Sequence, residues 1–132
     1  AEIRRAYLDA VDGLEDLVEA TKKVATRGSI RAIDKRQILV DKEHKALNCL
    51  LQGSAAVIAK RWLLLTNAKL GNTTHERYAF VHDEQVLGAP AANAEYIAEV
   101  CKLSALEAGE YYNLRLPIEA DAQIGDNWAQ VH

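Results

Sequence analysis

Residues Arg77–Pro90 read RYAFVHDEQVLGAP, and they decide how the rest of the chain is interpreted. Side chains alternate along the first half with a period of two, and an apolar pair resumes the run before glycine and proline close it. This pattern predicts a hairpin of two strands. His82, Asp83 and Glu84 fall in the middle of the predicted hairpin, where a buried carboxylate needs a cationic partner. A metal ion is one such partner, and a plain tight turn without any ligand is the alternative.

The composition is that of an ordinary globular protein. The chain has 132 residues, of which 49% are hydrophobic and 27% charged, and we expect one domain with a modest core over residues 1–132. It has no run of 18 apolar residues and no signal-peptide pattern, so we expect no membrane partner. Cys49 and Cys101 fall on different predicted helices without C-x-x-C spacing, which is typical of core cysteines in a reducing compartment.

Positive charge is concentrated in one part of the chain. Residues 22–61 hold ten Lys or Arg and three acids, a local charge of +7, although the whole chain carries −3. Such a block is typical of a surface that faces a polyanion, and equally of a solvated helix face.

The first half of the sequence predicts helices on either side of a small hairpin. An apolar stripe over residues 2–26 is interrupted at Asp12-Gly13, where Asp12 is expected to cap a second helix. Gly28 suits the position after a helix end. Short strands are predicted at residues 29–33 and 37–40. Asp41 is expected to cap a helix that reaches about Leu70. The predicted core face of that helix consists of Leu47, Leu50, Leu51, Ile58, Trp62 and Leu65.

The second half predicts a loop, the hairpin, a helix and a strand. His75 lies in the loop and is expected to be solvated. The third long helix is predicted from about Ala91 to Ala108, with Gly109 ending it, and the alternation over residues 114–123 predicts a strand. Together these elements predict an α+β fold in which a small antiparallel sheet packs on long helices.

Five stretches of the sequence resemble blocks of the family A DNA polymerases, which include bacterial DNA polymerase I and its phage relatives. Val81–Pro90 is similar to the family's motif C, and residues 30–36 are similar to its short hairpin. The other blocks, in the family's order, are Leu47-Asn48 with Leu51–Ala56, Leu116–Glu119 and Gly125–His132. The resemblance implies the C-terminal half of a polymerase palm with an edge of the fingers. It also implies a cytoplasmic location in a bacterial cell or a phage-infected host.

The resemblance implies a chemistry for the hairpin. Nucleotide addition to a primer 3′ end is a phosphoryl transfer in which two Mg²⁺ ions can stabilise the attacking and leaving oxygens. Asp83 is the implied metal ligand, because Mg²⁺ prefers hard oxygen donors. Glu84 is expected to shape the primer end or the outer shell of a metal. His82 is expected either to lie against the primer terminus or simply to pack.

Two parts of the family's active site have no counterpart in these 132 residues. The aspartate motif Asp-x-Ser-x-x-Glu and the nucleotide-binding helix of the fingers precede this region in related polymerases, and we find neither. We therefore expect the isolated chain to be inactive, and its parent enzyme to use primer–template DNA and deoxynucleoside triphosphates. The hairpin edge that the missing strand would cover is expected to pair with another copy, to be covered by the chain's terminus, or to be poorly ordered.

A polar stripe supplies a second candidate site. His44, Asn48 and Gln52 recur every four residues on the predicted helix, which places them on one side. The family's Asn and Gln at matching places imply donors to the minor groove, whose shared acceptors report pair geometry without reading sequence. Three ordinary surface residues are the alternative. His132, in the matching Trp-x-Gln-x-His ending, is expected to contact the primer or a metal, or to lie in a mobile tail.

Three functions remain open at this point. A magnesium-dependent DNA-directed DNA polymerase is favoured. The first alternative is a non-catalytic module, derived from a polymerase palm, that binds duplex DNA. A single-subunit RNA polymerase is the second alternative, and Glu84 argues against it because that family usually has serine there.

Overall fold

The computed structural model describes residues 2–132 and consists of helices and two small sheets. The elements are α1 (Glu2–Ala10), α2 (Leu14–Ala25), β1 (Ser29–Arg31), β2 (Gln37–Leu39), a 3₁₀ turn (Glu43–Lys45), α3 (Ala46–Leu70), β3 (Glu76–Val81), β4 (Glu84–Gly88), α4 (Ala91–Tyr111) and α5 (Trp128–Val131). Each sheet has two antiparallel strands. The predicted α+β class is confirmed. None of the helices in residues 2–132 is both long and apolar enough to cross a lipid bilayer.

The chain divides into two compact units, which meet within the sequence of α3. The first extends to Ala55 and the second begins at Ala56. Each is described by itself below, and the single domain expected over residues 1–132 stays a prediction.

The first unit is built on the two N-terminal helices. The predicted break at Asp12-Gly13 is confirmed, but the predicted Asp12 cap is wrong. Gly13 precedes α2 with a φ of 77°, and no side chain caps the helix. A glycine turns the chain at this point without the strain that a side chain would meet at positive φ. Ala25, Ile30, Val40 and Ala46 form the small core beneath these helices.

The β1–β2 hairpin follows a left-handed Gly28 (φ 79°), as predicted. Ile30 pairs with Ile38, and both face the core cluster. Lys35, in the turn of this hairpin, adopts a φ of 69°, a conformation that glycine favours.

Helix α3 begins later than predicted, at Ala46, and Asp41 caps no helix. The Asp41 carboxylate accepts a hydrogen bond from Lys45 Nζ at 3.0 Å. This hydrogen bond lowers the pKa of Asp41 from its usual value.

The predicted core face of α3 is only partly correct. Leu51 is 56% exposed, whereas the helix buries Val57, Thr66 and Leu70. The remaining members of the predicted face are half-buried.

The second unit packs α4 on the C-terminal part of α3. Leu70, Ile97, Val100 and Cys101 form its core. The indole nitrogen of Trp62 donates a hydrogen bond to the carbonyl oxygen of Cys101 at 2.8 Å. This bond satisfies a polar atom that would otherwise cost free energy in the core.

Helix α4 does not end at Gly109, as we expected, but runs to Tyr111. The left-handed residue after it is Asn113, with a φ of 53°. Gly109 is needed for another reason, because a Cβ there would lie 2.9 Å from Cγ1 of Ile118. The glycine therefore lets the following segment cross the helix closely.

The predicted strand over residues 114–123 is wrong. This segment has no regular secondary structure and pairs with neither sheet. Alternation alone does not make a strand, since an extended segment needs a neighbour for its backbone hydrogen bonds.

Candidate functional site

The predicted hairpin is confirmed, but its acids are not buried. Glu84 pairs with Val81, so His82 and Asp83 form the tight turn between β3 and β4. His82, Asp83 and Glu84 are all exposed. His82 takes a φ of 53°, a conformation in which histidine is found more often than most residues. Because the carboxylates of Asp83 and Glu84 are solvated, they do not need a cation to offset the cost of burial.

A bulge interrupts the predicted alternation along β3. Arg77 pairs with Leu87 and Ala79 pairs with Val86, so Tyr78 is an extra residue on its strand. A bulge shifts the side-chain alternation by one residue. Tyr78 lies over Gly88, where any Cβ would overlap the phenol ring. The glycine at position 88 thus makes room for Tyr78.

A polar network attaches the hairpin to α3. Arg77 Nη1 donates to Gln85 Oε1 at 2.6 Å, and Arg77 Nη2 donates to Asn67 Oδ1 at 2.6 Å. Gln85 Nε2 lies 3.4 Å from the hydroxyl of buried Thr66. Gln85 is half-buried within this network. Burial lowers the pKa of Arg77, because its partners are neutral amides.

We expected His75 to be solvated because it lies in a loop, and that expectation is only partly correct. It is half-buried, and its Nδ1 lies 2.7 Å from the carbonyl oxygen of Thr73. Because a carbonyl oxygen only accepts, Nδ1 is the donor.

The C-terminal helix α5 brings the residue that follows it, His132, to the hairpin turn. His132 Nε2 donates to Glu84 Oε1 at 2.8 Å. The imidazole stacks on the indole of Trp128, with ring centroids 3.8 Å apart and an interplanar angle of 8°. Gln130 Oε1 accepts from the backbone N–H of Asp126 at 2.6 Å. These contacts give the Trp-x-Gln-x-His ending a defined geometry beside Glu84.

The turn offers carboxylate oxygens to a cation. Within residues 2–132, the Asp83 carboxylate has no hydrogen bond or ion pair with another side chain, so both of its oxygens are available. No cluster of three or more His, Cys, Asp or Glu side chains suited to a metal occurs in the same range. Protein Mg²⁺ sites commonly use one or two carboxylates, with the remaining positions filled by water and substrate phosphates. Asp83 fits the role of one such ligand.

The polar stripe spans two kinds of helix. Asn48 and Gln52 lie one turn apart on α3, whereas His44 belongs to the 3₁₀ turn before it. All three are exposed. Their side chains make no hydrogen bond to the rest of the described chain, which leaves the donors free for a ligand. The stripe lies in the first unit and the hairpin turn in the second.

Two residues next to the stripe hold α3 against the β1–β2 hairpin. A Cβ on Gly53 would overlap the side chain of Ile38. The hydroxyl of Ser54 accepts a hydrogen bond from the backbone N–H of Ile33 at 3.2 Å. In the sequence, only the family resemblance pointed to these two residues. The small side chains directly after Gln52 could have indicated that α3 packs closely against a neighbouring element here.

The sequence matches the model of one protein family, DNA polymerase family A, over residues 3–130. The chain belongs to DNA polymerase family A. It is 32% identical to the DNA-directed DNA polymerase of Escherichia phage T7, with 99% of this chain and 22% of that protein covered. It is 29% identical to the DNA-directed DNA polymerase of Escherichia phage Phieco32, with 88% and 20% covered.

The fold agrees with the family assignment. The POL domain of Pol1 from M. smegmatis, solved with DNA primer–template and dNTP, superimposes with a TM-score of 0.76 at 22% identity. The match covers 86% of this chain and 22% of that one. The chain thus spans about a fifth of the length of its family A relatives.

Proposed function

We propose that the chain is the C-terminal palm portion, with an edge of the fingers, of a DNA-directed DNA polymerase that extends a primer 3′ end. The observation that carries the proposal is the family match over residues 3–130, which includes the exposed Asp83 turn. The phage relatives are named DNA-directed DNA polymerases, and the Pol1 structure was solved with primer–template and dNTP. Primer–template DNA and deoxynucleoside triphosphates are the partners proposed here.

In this proposal Asp83 is a ligand of Mg²⁺, which stabilises charge on the reacting phosphoryl group when it is bound. The tight turn presents the carboxylate to solvent, where the ion can reach it while keeping waters and substrate oxygens as its other ligands. His82, in the same turn, lies against the primer terminus.

Glu84 has a different proposed role from Asp83. One of its oxygens accepts from His132, so its carboxylate is oriented by the C-terminus. We assign Glu84 and His132 to the primer end and the outer shell of the metal. Their exposed hydrogen bond can exchange for contacts with DNA at little cost, since exposed pairs contribute about 0–1 kcal/mol.

The exposed amides of Asn48 and Gln52, with the imidazole of His44, donate to the minor groove of the primer–template duplex. Support comes from their free donors and from the Gly53 and Ser54 contacts that hold α3 on the adjacent hairpin. Purine N3 and pyrimidine O2 are acceptors in every correct pair, so these contacts test geometry and not sequence.

The experiment compares Asp83→Asn with Asp121→Asn in a full-length family A polymerase built on this chain. Asp121 is an exposed carboxylate without a hydrogen bond or ion pair to another described side chain. Losing a metal ligand removes several kcal/mol of transition-state stabilisation, so Asp83→Asn should slow primer extension by at least about a thousandfold.

The control variant should extend primers normally, and both variants should still bind primer–template. Normal extension by Asp83→Asn would refute the catalytic assignment. If the unsubstituted full-length protein binds duplex but never extends a primer, the non-catalytic DNA-binding module is the correct function.

A further inference from the structure

The β3–β4 hairpin depends on the rest of the second unit for its position. It is a sheet of only two strands, and an isolated two-stranded hairpin is at best marginally stable in water. Its exposed turn holds Asp83, the proposed metal ligand. Leu87, near the end away from the turn, packs against the core cluster of the unit. This apolar contact does not reach the turn, so other contacts must hold the half of the hairpin that carries Asp83.

The bulge at Tyr78 divides the hairpin into two parts. They are a base, residues 76–77 with 87–88, and a turn half, residues 79–86. A bulge bends its strand and increases the local twist, and bulges beside active sites commonly aim a side chain. The direction in which the turn half continues from the base therefore depends on how the bend at Tyr78 is held.

Arg77 spans this bend. Its backbone lies in the base, whereas its Nη1 donates to Oε1 of Gln85, in the turn half, at 2.6 Å. Its Nη2 donates to Oδ1 of Asn67 on α3, also at 2.6 Å. Gln85 Nε2 in turn lies 3.4 Å from the hydroxyl of Thr66, which is fully buried on the same helix. One guanidinium thus connects the base, the turn half and α3.

The chemistry of arginine suits this connection. A guanidinium is planar and directs its N–H donors in a fixed fork, whereas a lysine ammonium is a point charge on a flexible stem. Both acceptors of Arg77 are neutral amide oxygens, and no ion pair is found for it within the described chain. A half-buried cation without an acidic partner loses hydration that no opposite charge offsets. The geometry of the fork explains this residue better than its charge does.

We propose that Arg77 is a positioning residue for nucleotide addition. By bridging the bulge, it fixes where the turn holds the Asp83 carboxylate relative to the C-terminal part of α3. The inference rests on the proposed polymerase function, in which Asp83 binds Mg²⁺. It adds a role for a side chain that touches neither the metal nor the substrate. A misplacement of about 1 Å caused by a distant substitution can slow a reaction by about a hundredfold.

The test compares Arg77→Met with Arg115→Met in a full-length family A polymerase built on this chain. Methionine keeps an unbranched apolar stem but has no donor. Arg115 is exposed and has no hydrogen bond or ion pair to another described side chain, so its variant is the matched control. Single-turnover nucleotide addition is measured with saturating Mg²⁺, primer–template and dNTP. Rates are expressed per active site, which removes the contribution of any unfolded fraction.

Arg77→Met should slow nucleotide addition by about tenfold to a hundredfold, while its Kd for primer–template stays within about twofold of the unsubstituted enzyme. The control variant should match that enzyme in both quantities. A normal rate per active site together with a lower melting temperature would make Arg77 merely structural and would overturn the proposal. Weaker binding of primer–template with a normal rate at saturation would show a direct contact with DNA and would also overturn it.

Two further variants separate the fork from the charge. Arg77→Lys keeps the charge but cannot reproduce both contacts, so it should show most of the slowing seen in Arg77→Met. Gln85→Leu should slow the reaction to a similar extent. The double variant should be no slower than the slower single variant, because both substitutions remove the same bridge. Full activity of Arg77→Lys, or effects that multiply in the double variant, would show that Arg77 acts through its charge or independently of Gln85, and either result would refute the bridge.

A measurement without catalysis keeps this inference distinct from the polymerase assignment. In NMR spectra of the 132-residue protein, Arg77→Met should shift the amide signals of His82 and Asp83, whereas Arg115→Met should leave them in place. Unchanged turn signals in Arg77→Met would overturn the positioning role. If those signals shift but the unsubstituted full-length protein never extends a primer, the polymerase assignment fails while the control of the turn by Arg77 stands.

Discussion

Replacing Gln52 with alanine tests whether the polar stripe contacts DNA. The Gln52 side chain is exposed on α3 and makes no hydrogen bond to the described chain. Its removal therefore breaks nothing inside the fold. The adjacent Gly53 and Ser54 keep their contacts with the β1–β2 hairpin, so the helix should stay in place.

Two effects set the size of the change. A hydrogen bond to the minor groove contributes about 0.5–1.5 kcal/mol net, and about 1.4 kcal/mol is a tenfold change in rate. Helix propensity differs by only a few tenths of a kcal/mol between glutamine and alanine, in favour of alanine. The loss of the DNA contact should therefore dominate, slowing extension from matched primers by several-fold to about tenfold without lowering the melting temperature.

The assay is single-nucleotide extension by a full-length polymerase built on this chain, with each of the four terminal base pairs. The slowing should be similar for all four, because the minor-groove acceptors are shared. Glu95→Ala is the control, since Glu95 is an exposed α4 residue without a hydrogen bond to another described side chain. A sharp fall in melting temperature with normal extension by the folded fraction would make Gln52 structural and refute the stripe.

Four further results are expected. The 132-residue chain alone should incorporate no nucleotide in a primer-extension assay with Mg²⁺, because it lacks the second aspartate motif; clear extension would contradict this. Trp128→Leu should shift the His132 imidazole protons downfield in NMR spectra through loss of the ring current, whereas Trp128→Phe should keep part of it. Gly109→Ala should destabilise the fold in urea titrations by up to about 2 kcal/mol, because overpacking against Ile118 costs about 1–3 kcal/mol and the gain in helix propensity returns only about 1 kcal/mol. Burial raises the pKa of the Cys101 thiol above its ordinary 9.0. The contribution of the neutral thiol to folding stability is therefore complete below about pH 9 and is lost as the pH rises through the pKa of the folded state. The difference in unfolding free energy between the protein and Cys101→Ala should change with pH only in that alkaline range.

Local sequence patterns were sufficient to predict an element where its conformation depends mainly on residues close together in sequence. The apolar stripes with their glycine break predicted α1 and α2, and left-handed Gly28 lies in the turn after the second helix. The hairpin of residues 76–88 was found because turn and strand signals adjoin in sequence. The same short blocks, in their order and spacing, were enough to indicate the family.

Patterns failed where a residue's role depends on distant neighbours. Gly109 was taken for a helix end, but its missing side chain makes room for Ile118, a contact that no local period reveals. The alternation of residues 114–123 was taken for a strand, yet no neighbouring strand pairs with it. No local pattern indicated that Gln85 contacts Arg77 and Thr66.

The sequence by itself determined which chemical groups this protein carries and the family to which they belong. Only the tertiary structure decided how those groups are presented. Tyr78 is an extra residue on its strand and lies over Gly88 of the partner strand, and the path of the C-terminus brings His132 to Glu84. Both outcomes depend on packing between residues far apart in sequence, because burial and hydrogen bonding are properties of the assembled fold and not of a local pattern.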